Sequence, residues 1–429
     1  MRKFNEKTEE ADLISKNAIS RISNYSFHIR TILLVNSLLL LLAVTASFMI
    51  SSGLGPHKNK HSKHHDNNHE NLDVNLKYTF NESNGGHTYV VQKIATIGNT
   101  LLGSAGYDGT IKVWNINNGT LRFTFNISDQ AAYTNTVAGI GKNLLASASW
   151  DYAIRIWDVN NGTLKYVFNK TNGGHIYYVW VLVPIGTDLL ASGGGEGWVK
   201  IWDLKNGVLK YTFGRFDNKQ VRDLAVMSNI LASGGDDANV KLWDYSNGSL
   251  IIQFNDTNGG HSSPVTTLAR LNNHLLASGA QDGSLRIWDV NARVLFNSFD
   301  YNNGAHSSGI TALAWIGNNL FASGASDGEI KVWDLNSIGM LKYTFDWTTN
   351  SHKDIINSLT SLADGELLIS GSMDITIKVW DMKNGTLIKT LDSTNGGHRW
   401  FVETVVQVAR NIFASCANDF DIKVWQLYN

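Results

Sequence analysis

The sequence predicts an all-β fold: an eight-bladed β-propeller of four-stranded antiparallel blades, preceded by one transmembrane helix. Three observations predict it. Eight tryptophans recur at near-constant spacing between residues 114 and 425. Turn formers dominate, with 45 Asn and 39 Gly against only 3 Pro, which points to many tight turns between strands. A single charge-free, mostly apolar run, residues 31–50, with Asn36 as its one strongly polar side chain, stands ahead of the repeats. Composition narrows function as well. With 36 basic and 37 acidic residues the chain lacks the basic footprint of a general nucleic-acid binder, so no nucleic-acid partner is expected. Its one cysteine, Cys416, excludes an intrachain disulfide and a CxxC metal site. No metal and no cofactor are expected.

The first elements lie before the repeats. Residues 1–30 read as a polar N-terminal tail. Residues 31–52 read as a transmembrane helix, a signal anchor whose core TILLVNSLLLLLAVTASFMI is charge-free and long enough to cross a bilayer. A cleaved leader has a shorter apolar region and a shorter charged lead-in. The lipid bilayer is thus an expected partner through residues 31–50, and the chain is expected to be a single-pass membrane protein. Lys16, Arg21 and Arg30 before the run are matched by Lys58, Lys60 and Lys63 after it, so the positive-inside rule leaves the side of the propeller open. Residues 53–72 read as a flexible linker that carries five of the 13 His.

Residues 73–429 are one unit written eight times. Trp114, Trp157, Trp202, Trp243, Trp288, Trp333, Trp380 and Trp425 are separated by 41–47 residues. An acidic residue stands six positions before each, and a serine four before that acid. Within a unit, blocks such as NHLLASGA and SLRIWDV are short strands parted by turns of the QDG kind, and Asn-Gly steps such as NNGTLKYVF mark a further hairpin. Each unit therefore gives four antiparallel strands that cannot bury both faces alone; stacking side by side buries them. The last unit ends four residues after Trp425 and lacks its outer strand. The missing strand is expected at 75–81, where NLKYTFNESNGGH matches KYVFNKTNGGH of a later unit, and it should close the circle.

Units of the form GH…LASG…D…IKVWD resemble the WD-repeat family of β-propellers. The resemblance implies a buried chain of His, Ser, Asp and Trp in each blade. By position it falls on His87, Ser104, Asp108 and Trp114; on His261, Ser278, Asp282 and Trp288; and on His306, Ser323, Asp327 and Trp333. It also falls on His352, Ser370, Asp374 and Trp380, and on His398, Ser415, Asp419 and Trp425. The third unit has Glu196 in place of Asp, and the second and fourth lack the His. Ser, His and Asp together could be mistaken for a hydrolase triad, but a nucleophile is exposed, faces an oxyanion hole and occurs once per site. A set that recurs from unit to unit is structural, and no catalytic residue is expected.

Function is then expected in what varies between units. The resemblance places the residue before the turn acid, and those after the His, on the upper rim. Aromatics gather there on four contiguous blades, the eighth and the first three: Tyr89, Tyr107, Tyr133, Trp150, Tyr177, Trp180, Trp400 and Phe401. Aromatic side chains bury large areas and dominate interaction hot spots. The expectation is a membrane-anchored, non-catalytic scaffold that binds protein partners on this rim. The alternative is a luminal or extracellular module for a ligand or glycan, which eight N-x-S/T sequons after the anchor invite. A propeller enzyme is a remote third reading, because no insertion is long enough for a catalytic loop.

Overall fold

The computed structural model describes residues 72–127, 133–214, 218–337 and 340–428. The tail, the transmembrane helix expected at 31–52 and nearly all of the linker lie outside the described residues. Among the described residues no helix is long and apolar enough to cross a membrane.

The described residues form eight four-stranded antiparallel sheets. Seven are continuous in sequence, spanning 91–126, 134–168, 179–214, 221–254, 265–299, 310–345 and 356–391. In each, chain order is spatial order from inner to outer strand. The eighth takes three strands from 402–428 and its outer strand, Asp73–Phe80, from the front of the propeller. Asp73 pairs with Tyr428 and Phe80 with Ile422. The inner strand of each blade packs on that of the next, and Val402–Ala409 packs on Val91–Ile97 to close the ring.

Large rings hold blade to blade. Phe80 stacks on Trp114 at 4.3 Å, Phe168 on Trp202 at 4.3 Å, Phe254 on Trp288 at 4.2 Å and Phe345 on Trp380 at 4.3 Å. In each pair the Phe comes from one blade's outer strand and the Trp from the following blade, and both are buried. Tyrosines two residues before such a Phe make a second joint at the periphery. The Tyr78 hydroxyl donates to the Asn117 carbonyl (2.9 Å), Tyr166 to Lys205 (3.0 Å), Tyr211 to Ser246 (2.8 Å) and Tyr343 to Lys383 (2.9 Å).

The recurrent NGGH segment has a local cause. After six outer strands the chain makes a one-turn 3-10 helix, first at Glu82–Asn84. Asn81 caps it, accepting from Ser83 N–H, while the Asn84 side chain accepts from Asn81 N–H, a reciprocal cap. Gly85 follows at φ +86°, and a Cβ on Gly86 would lie 2.4 Å from the Asn81 carbonyl carbon, so neither position takes a side chain without strain. That turn delivers His87 into the blade.

Candidate functional site

The conserved-offset residues form a buried relay. In the first blade Trp114 Nε1 donates to Ser104 Oγ (3.1 Å), Ser104 bonds His87 Nε2 (2.8 Å), and His87 Nδ1 meets Asp108 (3.0 Å). Burial pushes the His87 imidazole down, against the pull of Asp108. Burial would raise Asp108, but His87, Thr110 and the Thr88 N–H outweigh it and hold that carboxyl well below its ordinary range. The pair is therefore a neutral imidazole donating to a carboxylate. The same contact joins His352 to Asp374 (2.9 Å) and His398 to Asp419 (3.0 Å), and His175 meets Glu196 at 2.5 Å. All four histidines are buried, so the serines they hold face no solvent.

Two blades depart from the expected chain. His261 Nδ1 bonds Ser284 Oγ at 2.8 Å rather than Asp282. His306 Nδ1 lies 3.2 Å from Glu329 rather than being bonded to Asp327. Asp282 and Asp327 instead accept from Ser262 and Ser307 and brace their own turns. The physical reason is the residue two positions after the acid, which also faces the imidazole. There Thr110 and Thr376 share the histidine with the Asp, while Ser284 and Glu329 take it over. His306, Asp327 and Glu329 offer ligand atoms within 4.8 Å of one another, but Lys331 Nζ already sits 3.2 Å from Glu329. A further regularity escapes an offset search aimed at Ser, His and Asp: the fourth residue after the turn acid is Lys or Arg in every blade. In the second and fourth blades this cation pairs with the acid, Arg155 with Asp151 and Lys241 with Asp237, both at 2.5 Å.

The rim residues share one end of the ring for a backbone reason. In every blade the residue before the turn acid donates its N–H to the residue that enters the inner strand: Tyr107 to Val90, Trp150 to Tyr133, Gly195 to Tyr178, Asn418 to Phe401. From this frame Tyr107, Tyr133, Trp150, Tyr178 and Trp180 form a continuous run of ring contacts, at 5.2, 4.9, 5.2 and 6.0 Å between successive centroids. It crosses three blades. Tyr177 joins through Tyr152. Trp400 and Phe401 make a separate pair at 6.3 Å, and Tyr89 stacks on Phe420 at 5.5 Å. Tyr89, Tyr133, Tyr177, Trp180 and Trp400 are exposed, whereas Tyr107, Trp150 and Phe401 are half-buried beneath them. Tyr152 and Phe420 are additional members. Each directly follows the turn acid at φ +67° and +72°, where four other blades use Gly. An aromatic in that left-handed conformation carries strain, and strained backbone gathers at functional sites. An aromatic in the glycine place of the turn was the available signal.

Below the rim runs the central channel, with a cavity of about 570 Å³. Every inner strand carries a β-bulge near its start, and the bulged residues form a ring: Gln92, Asn135, Trp180, Arg222, Thr266, Thr311, Asn357 and Glu403. Thr266 Oγ1 donates to the Ile310 carbonyl of the next blade, Thr311 to Ile356, and Asn357 Nδ2 to Val402. Glu403 accepts from Gln92 at 3.3 Å. Burial pushes the Glu403 carboxyl up to about 7 against the bonds from Asn418 and Gln92. Burial, then the field of Glu403, pushes Tyr107 up to about 12. Arg222 turns away to Asp236. Asn135 is 7% exposed, and neither its Nδ2 nor its Oδ1 has a partner among the described residues.

A closed eight-bladed ring with His–Ser–Trp relays in its blades and varied residues on one rim defines a repeat propeller of the recognition type. The family model "WD domain, G-beta repeat" matches residues 78–115, 132–158, 207–244, 252–289, 299–334 and 343–381, and the chain belongs to this family. The units of Trp202 and Trp425, with Glu196 at the turn and Gln426 after the tryptophan, lie outside those matches. Among solved structures the chain is similar to the computationally designed Ika8 protein, at 29% identity and a TM-score of 0.67, over 80% of this chain and 98% of that one. No curated protein matches the chain.

Proposed function

We propose that the chain is a non-catalytic interaction scaffold whose aromatic rim on blades eight, one, two and three receives a protein partner, and which residues 31–50 tether to a bilayer. The run of ring contacts from Tyr107 to Trp180 carries this reading. It offers a broad aromatic face with half-buried anchors beneath exposed ones, the arrangement in which a few aromatics dominate binding. Tyr152 and Phe420 extend the aromatic face from a turn position at positive φ that Ala238 and Ile375 fill in other blades. WD-domain propellers act as interaction scaffolds, which agrees with serines buried beyond the reach of a substrate.

The luminal reading draws on the sequons, and their geometry gives them another cause. Asn81, Asn169 and Asn255 are the caps of 3-10 turns, each accepting from the Ser or Thr two residues on. Asp346 and Asp392 cap in the same way in other blades, and an aspartate takes no glycan. Asn118, Asn161 and Asn247 make the equivalent bond in the Asn-Gly hairpins. The N-x-S/T pattern at these six positions follows from turn chemistry and carries no weight for the lumen, and we propose a cytosolic propeller.

The test is proximity crosslinking of the full-length chain in cells, with and without the W150A/W400A double change. The expected result is an unchanged melting temperature to within a few degrees and loss of the main crosslinked partner. An unfolded double mutant, or an unchanged crosslink pattern, refutes the rim as the binding face. Protease protection of sealed membranes decides the side: a digestible propeller agrees with the cytosolic reading, and a protected one overturns it.

A further inference from the structure

The rings of the rim run stand at two levels. Trp150 and Tyr178 are half-buried, 5.2 Å apart, and form a base across the second and third blades. Exposed rings rise from that base. Tyr133 stands at 86° to Trp150 with centroids 4.9 Å apart, and Tyr152 at 68° to Tyr178 at 5.2 Å. Trp180 meets Tyr178 at 60°. Upright rings on a half-buried base make a stepped aromatic surface. Edge-to-face contact is a geometry that aromatic pairs prefer, so the steps hold their shape without a ligand.

That surface suits one mode of peptide recognition better than the others. Strand addition needs an open sheet edge, whereas the run is made of side chains. A phosphorylated or acidic segment needs an arginine cluster. Here Arg155 is paired with Asp151 at 2.5 Å, and Arg222, next after Trp180 in the bulge ring, is paired with Asp236. A caged ammonium needs space over a ring face. Trp150 is instead packed by Tyr133 at 4.9 Å, Tyr178 at 5.2 Å and Tyr107 at 6.2 Å, ring against ring. A helix with its side chains is about 10 Å across, too broad for steps one ring deep. A polyproline II segment fits. It is stiff, with three residues per turn, and it docks on aromatic-lined grooves at low ordering cost. Proline has no N–H and offers only carbonyl acceptors, while tyrosine and tryptophan carry O–H and N–H donors at the edges of their rings. The chain has only 3 Pro, at 56, 184 and 264, so such a segment belongs to another molecule.

We propose that the stepped run on the first three blades binds a proline-rich segment of a partner protein in the polyproline II conformation, with pyrrolidine rings seated against Tyr133, Tyr152 and Trp180. This rests on the rim being the binding face and names the chemistry of what it receives.

The experiment titrates the full-length chain with acetylated, amidated decaproline and with a Pro-Pro-Leu repeat peptide of similar length. Binding is followed by tryptophan fluorescence and saturation-transfer NMR. At least one of the two is expected to bind saturably. Trp180→Ala and Tyr133→Ala, both at exposed positions, should each weaken binding about tenfold, as removal of an anchoring aromatic does. Trp347→Ala, exposed on the turn Trp347–Thr349, should change nothing. Failure of both peptides to bind overturns the proposal. So does binding that survives W180A and Y133A, or tighter binding of tetramethylammonium, a phosphotyrosine peptide or an amphipathic Leu/Lys helix. Crosslinking of W150A/W400A separates this inference from the rim reading: if that variant loses its partner while neither proline peptide binds, the rim stands as the binding face and the proline-rich ligand is ruled out.

Discussion

In blades five to eight the bulge residue of each inner strand is bonded to the following blade, Thr266 at Ile310, Thr311 at Ile356, Asn357 at Val402 and Glu403 at Gln92. In blades two to four the same position holds Asn135, Trp180 and Arg222, and among the described residues none makes that bond. The backbone is the same in both halves, bulge included. The stitched half gives its polar side chains to the seams. In the other half Arg222 turns to Asp236, Asn135 has no partner among the described residues, Asp223 beside the bulge accepts from Leu268 N–H of the next blade, and the aromatic run lies above. A repeat fold can therefore use one position for cohesion on one arc and release it on the other, because Phe–Trp stacks hold the arc that lacks the seam bond.

Acid should act on both halves alike and gives the largest effect. His87 and His175 stand in one arc, His261 and His352 in the other, and burial depresses all four, His261 to about 4. Unfolded histidine titrates near 6.5, so the unfolded chain binds more protons below that pH. The stability these groups contribute is complete above about 6.5 and is lost as pH falls towards 4. Glu403, raised to about 7, works the other way, as do Asp223 and Asp421, which burial also raises. Denaturant melts should show lower stability at pH 5 than at pH 7, lost in one cooperative step. Hydrogen exchange that opens only one arc would show the halves to be independent.

Next in size is a core change set against a rim change. Trp380 is fully buried on Phe345, and Trp380→Ala should cost about 3–5 kcal/mol. Trp150→Ala on the rim should cost less than half as much in the same melts. Equal losses would mean that the aromatic run is a second core. The finest test compares the bulge ring with itself. Thr311→Val removes bonds to Gly324 and Ile356 and should cost about 1–2 kcal/mol. Asn135→Leu removes an amide without partners and should leave the melting temperature unchanged or raise it. A destabilised N135L would erase the distinction drawn between the arcs.

The ring was legible in sequence because its signals sit at fixed offsets: the tryptophans, the turn acids and the front strand that matches a later unit. The strand expected at 75–81 runs Asp73–Phe80. Ser284 and Glu329 were hidden because the Asp two residues earlier already satisfies the pattern, and which side chain reaches the imidazole depends on strand geometry. The bulge ring was hidden for a related reason. One extra residue in the inner strand breaks the two-residue alternation by which channel-facing side chains are read. On the rim, Tyr107, Tyr133, Trp150 and Trp180 were each visible as departures from the repeat. Their joining into one run depends on distances across three blades.

The tyrosines at the periphery have a consequence of their own. Tyr78, Tyr166, Tyr211 and Tyr343 each dock on a main-chain carbonyl of the following blade, at Asn117, Lys205, Ser246 and Lys383. A joint that reads a carbonyl reads no side chain, so it carries no address. Blades joined in this way are interchangeable parts: a unit copied or dropped in the gene finds the same socket on either flank. The number of blades is then a matter of the curvature at which the circle shuts, and each unit's visible surface is free to drift towards a partner of its own.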